Sequence, residues 1–393
     1  MGKYISKTII ITLILCSVCF LTYNFYNAIN VEEISTNKIK QNNNMLSMMI
    51  ESNAESGQYE MTTSSRWPTD GYVFNSELSK CENGGNLSWD DTNKKVVFEG
   101  NNIDKCYVYF DVYNPPKNLN DVCNGGEVLS SCIISLVNKN TSDITNIYYH
   151  STTLENSAED NSYRYSGALA DVKNYICLGS NEETCPDDNL YRIIGLFGEN
   201  NHGVAGQQLV KVIKNGSLVS TAWNSTTSKN WANASLNTTL NTSFLTEKLS
   251  GVEDKIVEVA WKVTGYNTND TTAKTFYKSE IASTTTVNAK IGLMYASDYG
   301  FAITPDYWTT NLSSYSTEVI NKDWLYLGAD EWTISPLSNG TRYAWYVDSD
   351  GNVQKGMGGT VTISHAVRPS FYLTADVAYV SGTGTSIDPI RVK

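Results

Sequence analysis

The chain has 393 residues and a net charge of −12, and Asp, Glu, Lys and Arg together make up only 18% of it. No basic stripe offsets phosphate repulsion, so a nucleic-acid partner is excluded. The polar but weakly charged, tyrosine-rich composition suits extracellular β structure built from short strands and many turns.

In "MGKYISKTIIITLILCSVCFLTYNFYNAIN", Lys3 and Lys7 precede a run free of charge from Thr8 to Ile29. That run is long enough to cross a bilayer. With Glu32 and Glu33 behind it, the flanking charge predicts a cytoplasmic N-terminus (1–7), a transmembrane signal anchor (8–29) and an extracellular remainder. The expectation is therefore a single-pass protein of the cell membrane. A cleaved signal peptide is the alternative, but no small-x-small site follows the apolar core. Neither Cys16 nor Cys19 follows the small residue that a lipoprotein signal requires. Residues 30–66 are rich in Asn, Ser and Met without a sustained period, and read as a flexible stalk.

A small β module is predicted at 67–114. "NLSWDDTNKKVVFEG" gives two strands around an Asp-Thr-Asn turn, and "DKCYVYFDVYN" alternates at period two. "NPPKN" opens a connector, 115–159. The main domain is placed at 160–393. There "LYRIIGLFG" and "QQLVKVIKNG" read as successive strands. "SFLTEKLSGVEDKIVEVAW" sets Leu245, Leu249, Val252 and Ile256 on one helical stripe. Gly251 interrupts it, predicting a short helix, a turn and a strand. "TTAKTFYKSEIAS" is a second helix candidate. "AKIGLMYASDYGFA", "EWTISPL", "RYAWYVDS", "GNVQKG", "HAVRPSFYLT" and "VAYVSG" follow as strands at hairpin spacing. The fold class expected is α+β, mostly β, with the main domain preceded by a disulfide-stapled module.

Six cysteines lie beyond the apolar run: Cys81, Cys106, Cys123, Cys132, Cys177 and Cys185. An outside location makes them disulfides, and their three local couples suggest 81–106, 123–132 and 177–185, although six thiols allow other pairings. Zinc is disfavoured because no CxxC spacing occurs, and His150, His202 and His365 lie far from the couples in sequence.

Around Gly351, Asp348, Asp350 and Asn352 have the two-residue spacing of calcium loops. Yet the glycine precedes the third ligand, and Gly359 stands where a closing Glu belongs. Asp350-Gly351 is a hairpin signal, and the hairpin is the reading taken. Trp308, Trp324, Trp332 and Trp345 are either sugar platforms or core, with core favoured for Trp332 and Trp345, and Trp308 open. Arg368 reads as a structural arginine paired with Asp330 or Glu331, and Asp187 and Asp188 as turn caps. Neither a G-x-S-x-G, an H-E-x-x-H nor a phosphate-cradling loop occurs, so no enzyme, cofactor or metal is expected.

The segments W-T-I-S (332–335), A-W-Y-V (344–347), V-R-P-S (367–370) and S-G-T-G-T-S-I-D-P (381–389) occur in that order. So do "YRYSGA", "NYICLGS", "CPDDNLYRIIGLFG" and "KIGLMYASDYGFA" upstream. This string resembles a large paralogous family of gut-bacterial surface proteins, and "RWPTDGYVFNSELSKCENGGNLSWDDTNKK" resembles a small module often placed ahead of it. At greater distance the layout is similar to bacterial C-type-lectin-like domains, which include formylglycine-generating enzymes and retroelement-diversified receptor-binding proteins. The former use cysteines late in the fold, and this chain has none after Cys185. The resemblance implies a C-type-lectin-like domain at 160–393 and an adhesin-like role toward an unknown glycan or protein. Trp308 and the run Ser338, Asn339, Thr341, Arg342 and Tyr343 are the expected ligand contacts. A structural subunit of a surface layer or pilus-like assembly is the alternative.

Overall fold

The computed structural model describes residues 46–393 apart from 69–70, 101–103, 115, 140–141, 199–205 and 268–270. The expected anchor and the first half of the stalk lie outside these residues. Among the described residues, no helix is long and apolar enough to cross a membrane. The chain divides after Asn114 into two compact units. Both are dominated by strands, and the protein is α+β, mostly β.

The N-terminal unit contains β1 (Leu46–Glu51), β2 (Tyr59–Met61), β3 (Tyr72–Cys81), β4 (Asn86–Asp90), β5 (Lys95–Glu99) and β6 (Cys106–Val112). They form a four-stranded sheet of order β2-β1-β6-β3 and a separate β4–β5 hairpin. The stalk expectation is corrected here from residue 46 onward. β1 runs parallel to β6 and buries Met48 against Val108 and Phe110. Its last residue, Glu51, accepts hydrogen bonds from the Gly57 and Val112 amides at 2.9 and 3.0 Å and so fixes the turn into β2. A parallel partner more than fifty residues away leaves no hairpin signal in the local sequence. Cys81 and Cys106 are register neighbours on β3 and β6 and form a disulfide. The bridge supports a small core, five buried apolar residues among the described ones.

In the C-terminal unit the strands are β7 (Ile147–Tyr149), β8 (Tyr163–Tyr165), β9 (Tyr175–Cys177), β10 (Leu190–Phe197), β11 (Leu209–Lys214) and β12 (Val219–Ala222). Then come β13 (Ile256–Val257), β14 (Val259–Lys262), β15 (Thr286–Ala289), β16 (Ile291–Gly292) and β17 (Glu331–Pro336). The last are β18 (Ala344–Val347), β19 (Val353–Gln354), β20 (Ser364–Val367), β21 (Ser370–Leu373), β22 (Tyr379–Ser381) and β23 (Ile390–Val392). The main sheet runs β13-β21-β11-β10-β9-β23-β22, with β16 on β21 and β7–β8 on β10. A second sheet runs β12-β20-β17-β18-β19, and β14 and β15 form a separate antiparallel pair. β10 and β11 are buried along their whole length, as their near-continuous apolar runs require.

The connector expectation is also corrected. Helix Leu129–Asn138 sinks Leu129, Cys132, Ile133 and Leu136 into the main core, and β7 pairs with β8. Residues 116–159 thus belong to the domain and are not a link to it. Cys123–Cys132 and Cys177–Cys185 are the two disulfides of this unit. The helix expected in "TTAKTFYKSEIAS" is Ala273–Ile281, capped by Thr272. "ASDYGFA", expected as strand, is instead the buried helix Ala296–Ala302, with Asp298 capping its first turn. Its side chains carry strand-like apolarity because the helix is enclosed on all sides.

Candidate functional site

The loop joining β17 to β18 stands on buried strands. Pro336 pairs with Ala344, and the Leu337 amide donates to the Tyr343 carbonyl at 2.9 Å. Beneath it Trp332 and Trp345 are both buried, their indoles part of the core. Ser338, Asn339, Thr341 and Arg342 are exposed and Tyr343 is half-buried. Gly340, at φ +74°, makes the reversal that a side chain would strain.

The loop's backbone is tied down from three neighbouring segments. The Lys229 ammonium donates to the Leu337 carbonyl and, at 2.8 Å, to that of Ser338, while the Lys229 amide donates to Thr341 O at 2.9 Å. Ser338 N donates to Tyr266 O at 3.0 Å, and Val361 N to Arg342 O at 3.0 Å. Partial burial lowers the pKa of Lys229 from the usual lysine value. The Arg342 guanidinium donates to the Tyr343 hydroxyl at 3.1 and 3.2 Å. Lys355 donates to Asn267 Oδ1 at 3.0 Å beside the same edge. The result is a hydrogen-bonding face of mixed side chains with its backbone already ordered, and so with part of the entropy cost of binding met beforehand.

Five of the six expected ligand residues meet on this loop; Trp308 does not. It is 1% exposed, donates to Ile303 O at 3.0 Å, and packs against Tyr148, His150 and Phe301. Its loop setting in sequence suggested a platform, but the indole is turned inward and serves the core. Trp223, Trp231, Trp261 and Trp324 are buried as well. No indole face of this unit is therefore open to solvent among the described residues. Lys229 was missed because a lone lysine in "TSKNWAN" carries no periodic or motif signal.

Asp348 and Arg368 fall where their plain readings put them, whereas Asp187 and Asp188, expected as turn caps, give the turn at 187–189 no side-chain cap. Asp348 Oδ1 accepts from the Asp350 and Asn352 amides at 3.0 and 2.8 Å, so its carboxylate shapes the turn of the β18–β19 hairpin. Arg368 makes a two-pronged pair with Glu331, 2.7 Å on each arm. Asp188 pairs with Lys248 at 3.1 Å, and Lys214 donates to Asp187 O. Cysteines converge with a carboxylate at Cys81, Asp104 and Cys106 and at Cys123, Glu127 and Cys132, but in both places the sulfurs are bonded to each other.

Comparison with protein-family models, curated proteins and solved structures finds no match. A cleft of about 770 Å³ lies between the 177–185 disulfide loop, the 250–255 turn and residues 380–393. Its Arg391 guanidinium is spent on the Ser180 and Glu183 carbonyls, and its remaining charges are of both signs. No convergent set of polar groups forms there among the described residues, so the β17–β18 loop is the stronger site.

Proposed function

We propose that the protein is a non-enzymatic, membrane-anchored surface protein whose C-terminal unit binds an extracellular ligand through Ser338, Asn339, Thr341, Arg342 and Tyr343. The observation that carries this reading is the Lys229 tether: one side chain orders a loop whose own side chains face solvent. Loops of this kind on rigid strands are where binding residues concentrate. A C-type-lectin-like assignment is supported by the loop face over a buried hairpin and by the meeting of the unit's two ends. Val128 bridges Ala378, and β23 lies beside β9.

With every tryptophan of this unit buried, the ligand is recognised by hydrogen bonds and by the Arg342 charge, not by ring stacking. That chemistry suits a carboxylate-bearing glycan or an acidic protein surface. The test is to screen the purified full chain against neutral and acidic glycans and host surface proteins, and in parallel to measure its sedimentation across a range of concentrations. Selective retention of an acidic ligand with a monomeric boundary supports the proposal. Ligand-free, concentration-dependent assembly replaces it with the structural-subunit reading.

A further inference from the structure

Two largely apolar segments each carry a charge into the centre of the C-terminal unit. Lys211 interrupts "LVKVIK" on β11, and Asp298 lies in the helix Ala296–Ala302. Their side chains are both fully buried, and Lys211 Nζ lies 2.6 Å from Asp298 Oδ2. Four aromatic rings surround the amine: Tyr295, Trp261, Tyr372 and Phe197, with centroids 4.6 to 5.6 Å from Nζ. On the other side of the carboxylate, Arg164 Nη1 is 3.7 Å from Asp298 Oδ1, and neither of these two atoms has a hydrogen-bond partner among the described residues. Glu280, itself buried, accepts from the amide and hydroxyl of Ser297, the residue before Asp298.

We propose that Lys211 and Asp298 condense into an intramolecular isopeptide bond, making this domain internally cross-linked by its own side chains. In the ion pair a proton first passes from the ammonium to the carboxylate, leaving a free amine and a carboxylic acid. Nζ then attacks Cγ, forming the new C–N bond and a tetrahedral centre. Its developing negative oxygen faces the Arg164 guanidinium, whose charge stabilises it in a dry site. Glu280 takes the next proton from Nζ and returns it to the departing hydroxyl, the C–O bond breaks, and one water leaves. No oxidant, reductant or cofactor enters the balance.

Three features favour the reaction over a lasting salt bridge. The reacting groups are already in contact, which replaces a bimolecular encounter with a positioned one. Burial lowers the pKa of Lys211, favouring the nucleophilic free amine, with the Asp298 charge acting against that shift. Burial also raises Glu280 to about 7, so that both its proton-accepting and its proton-donating forms are populated near neutrality. An ordinary buried ion pair needs none of this apparatus. The link would join positions 87 residues apart in sequence, tying β11 of the main sheet to the helix Ala296–Ala302. This inference does not depend on the ligand-binding reading.

The experiment is mass spectrometry of the full chain, denatured and with its disulfides reduced, followed by peptide mapping. The expected wild-type protein is lighter than its sequence by one water, with the Lys211 peptide joined to the Asp298 peptide. Glu280→Gln, shown folded by its near-ultraviolet circular dichroism, is expected to keep the full mass and yield the two peptides separately. Folded wild-type protein of full mass with unjoined peptides overturns the proposal. A cross-link that persists in folded Glu280→Gln overturns the role given to Glu280.

Discussion

Arg368 shows how single residues set the stability of this core. Its guanidinium is held by both Glu331 oxygens and by Leu325 O, all in the dry interior. Removing one partner leaves the other charge buried and unpaired, so Arg368→Ala should cost about 3–5 kcal/mol in denaturant unfolding. Asp323 acts in the opposite sense. Burial raises its pKa from 3.8 to about 8, against the pull of the Leu325 amide and Arg368. Between those values the folded state holds a proton that the unfolded state has lost, so stability falls as pH rises from about 4 to about 8. Asp323→Asn should flatten that slope in thermal melts across the same range, and an unchanged slope would refute the assignment. Trp308→Ala should cost about 3–5 kcal/mol through the cavity it leaves, while any ligand affinity of the folded fraction stays as it was.

The β18–β19 hairpin is the element most legible in sequence, because Asp350-Gly351 marks its turn and apolar residues mark both arms. Structure adds why the glycine is needed. At φ +83° a side chain is strained, and a Cβ there would collide with Ile320. Gly351→Ala is accordingly expected to lower stability by about 1–3 kcal/mol, read by urea titration. The disulfide couples were legible from spacing, since each closes a short local loop. β1 was hidden: its Met- and Ser-rich residues form a strand only because β6 supplies a distant parallel edge. Helix Ala296–Ala302 was hidden for a related reason, its polar face having been replaced by contacts on every side. Within the loop, Lys229→Met should free the Leu337 and Ser338 carbonyls and raise protease sensitivity at 338–343, measurable by limited digestion.

At the scale of the molecule, composition and turn signals gave the fold class, and short apolar runs between turn signals located β10, β11, β17 and β18. What they could not give was the company each charge keeps. Arg192 and Asp298 stand alone within apolar runs, and such isolated charges were the available sign of a buried polar centre; Lys211 shares its strand with Lys214, and Glu280 lies in a polar helix. Their partners lie far off in sequence, beyond the reach of periodicity. The site was half legible: the small, polar residues of 338–342 mark an exposed loop between two apolar strands, whereas the inward turn of Trp308 and the Lys229 tether depend on tertiary packing. The proposed function requires that this loop bind while the strands beneath it only carry it. The direct measurement is to replace Ser338–Arg342 with an equal length of glycine and serine and compare ligand retention and melting temperature with wild type. Lost retention at a melting temperature within a few degrees is the predicted result. Retention that survives the replacement would contradict the claim.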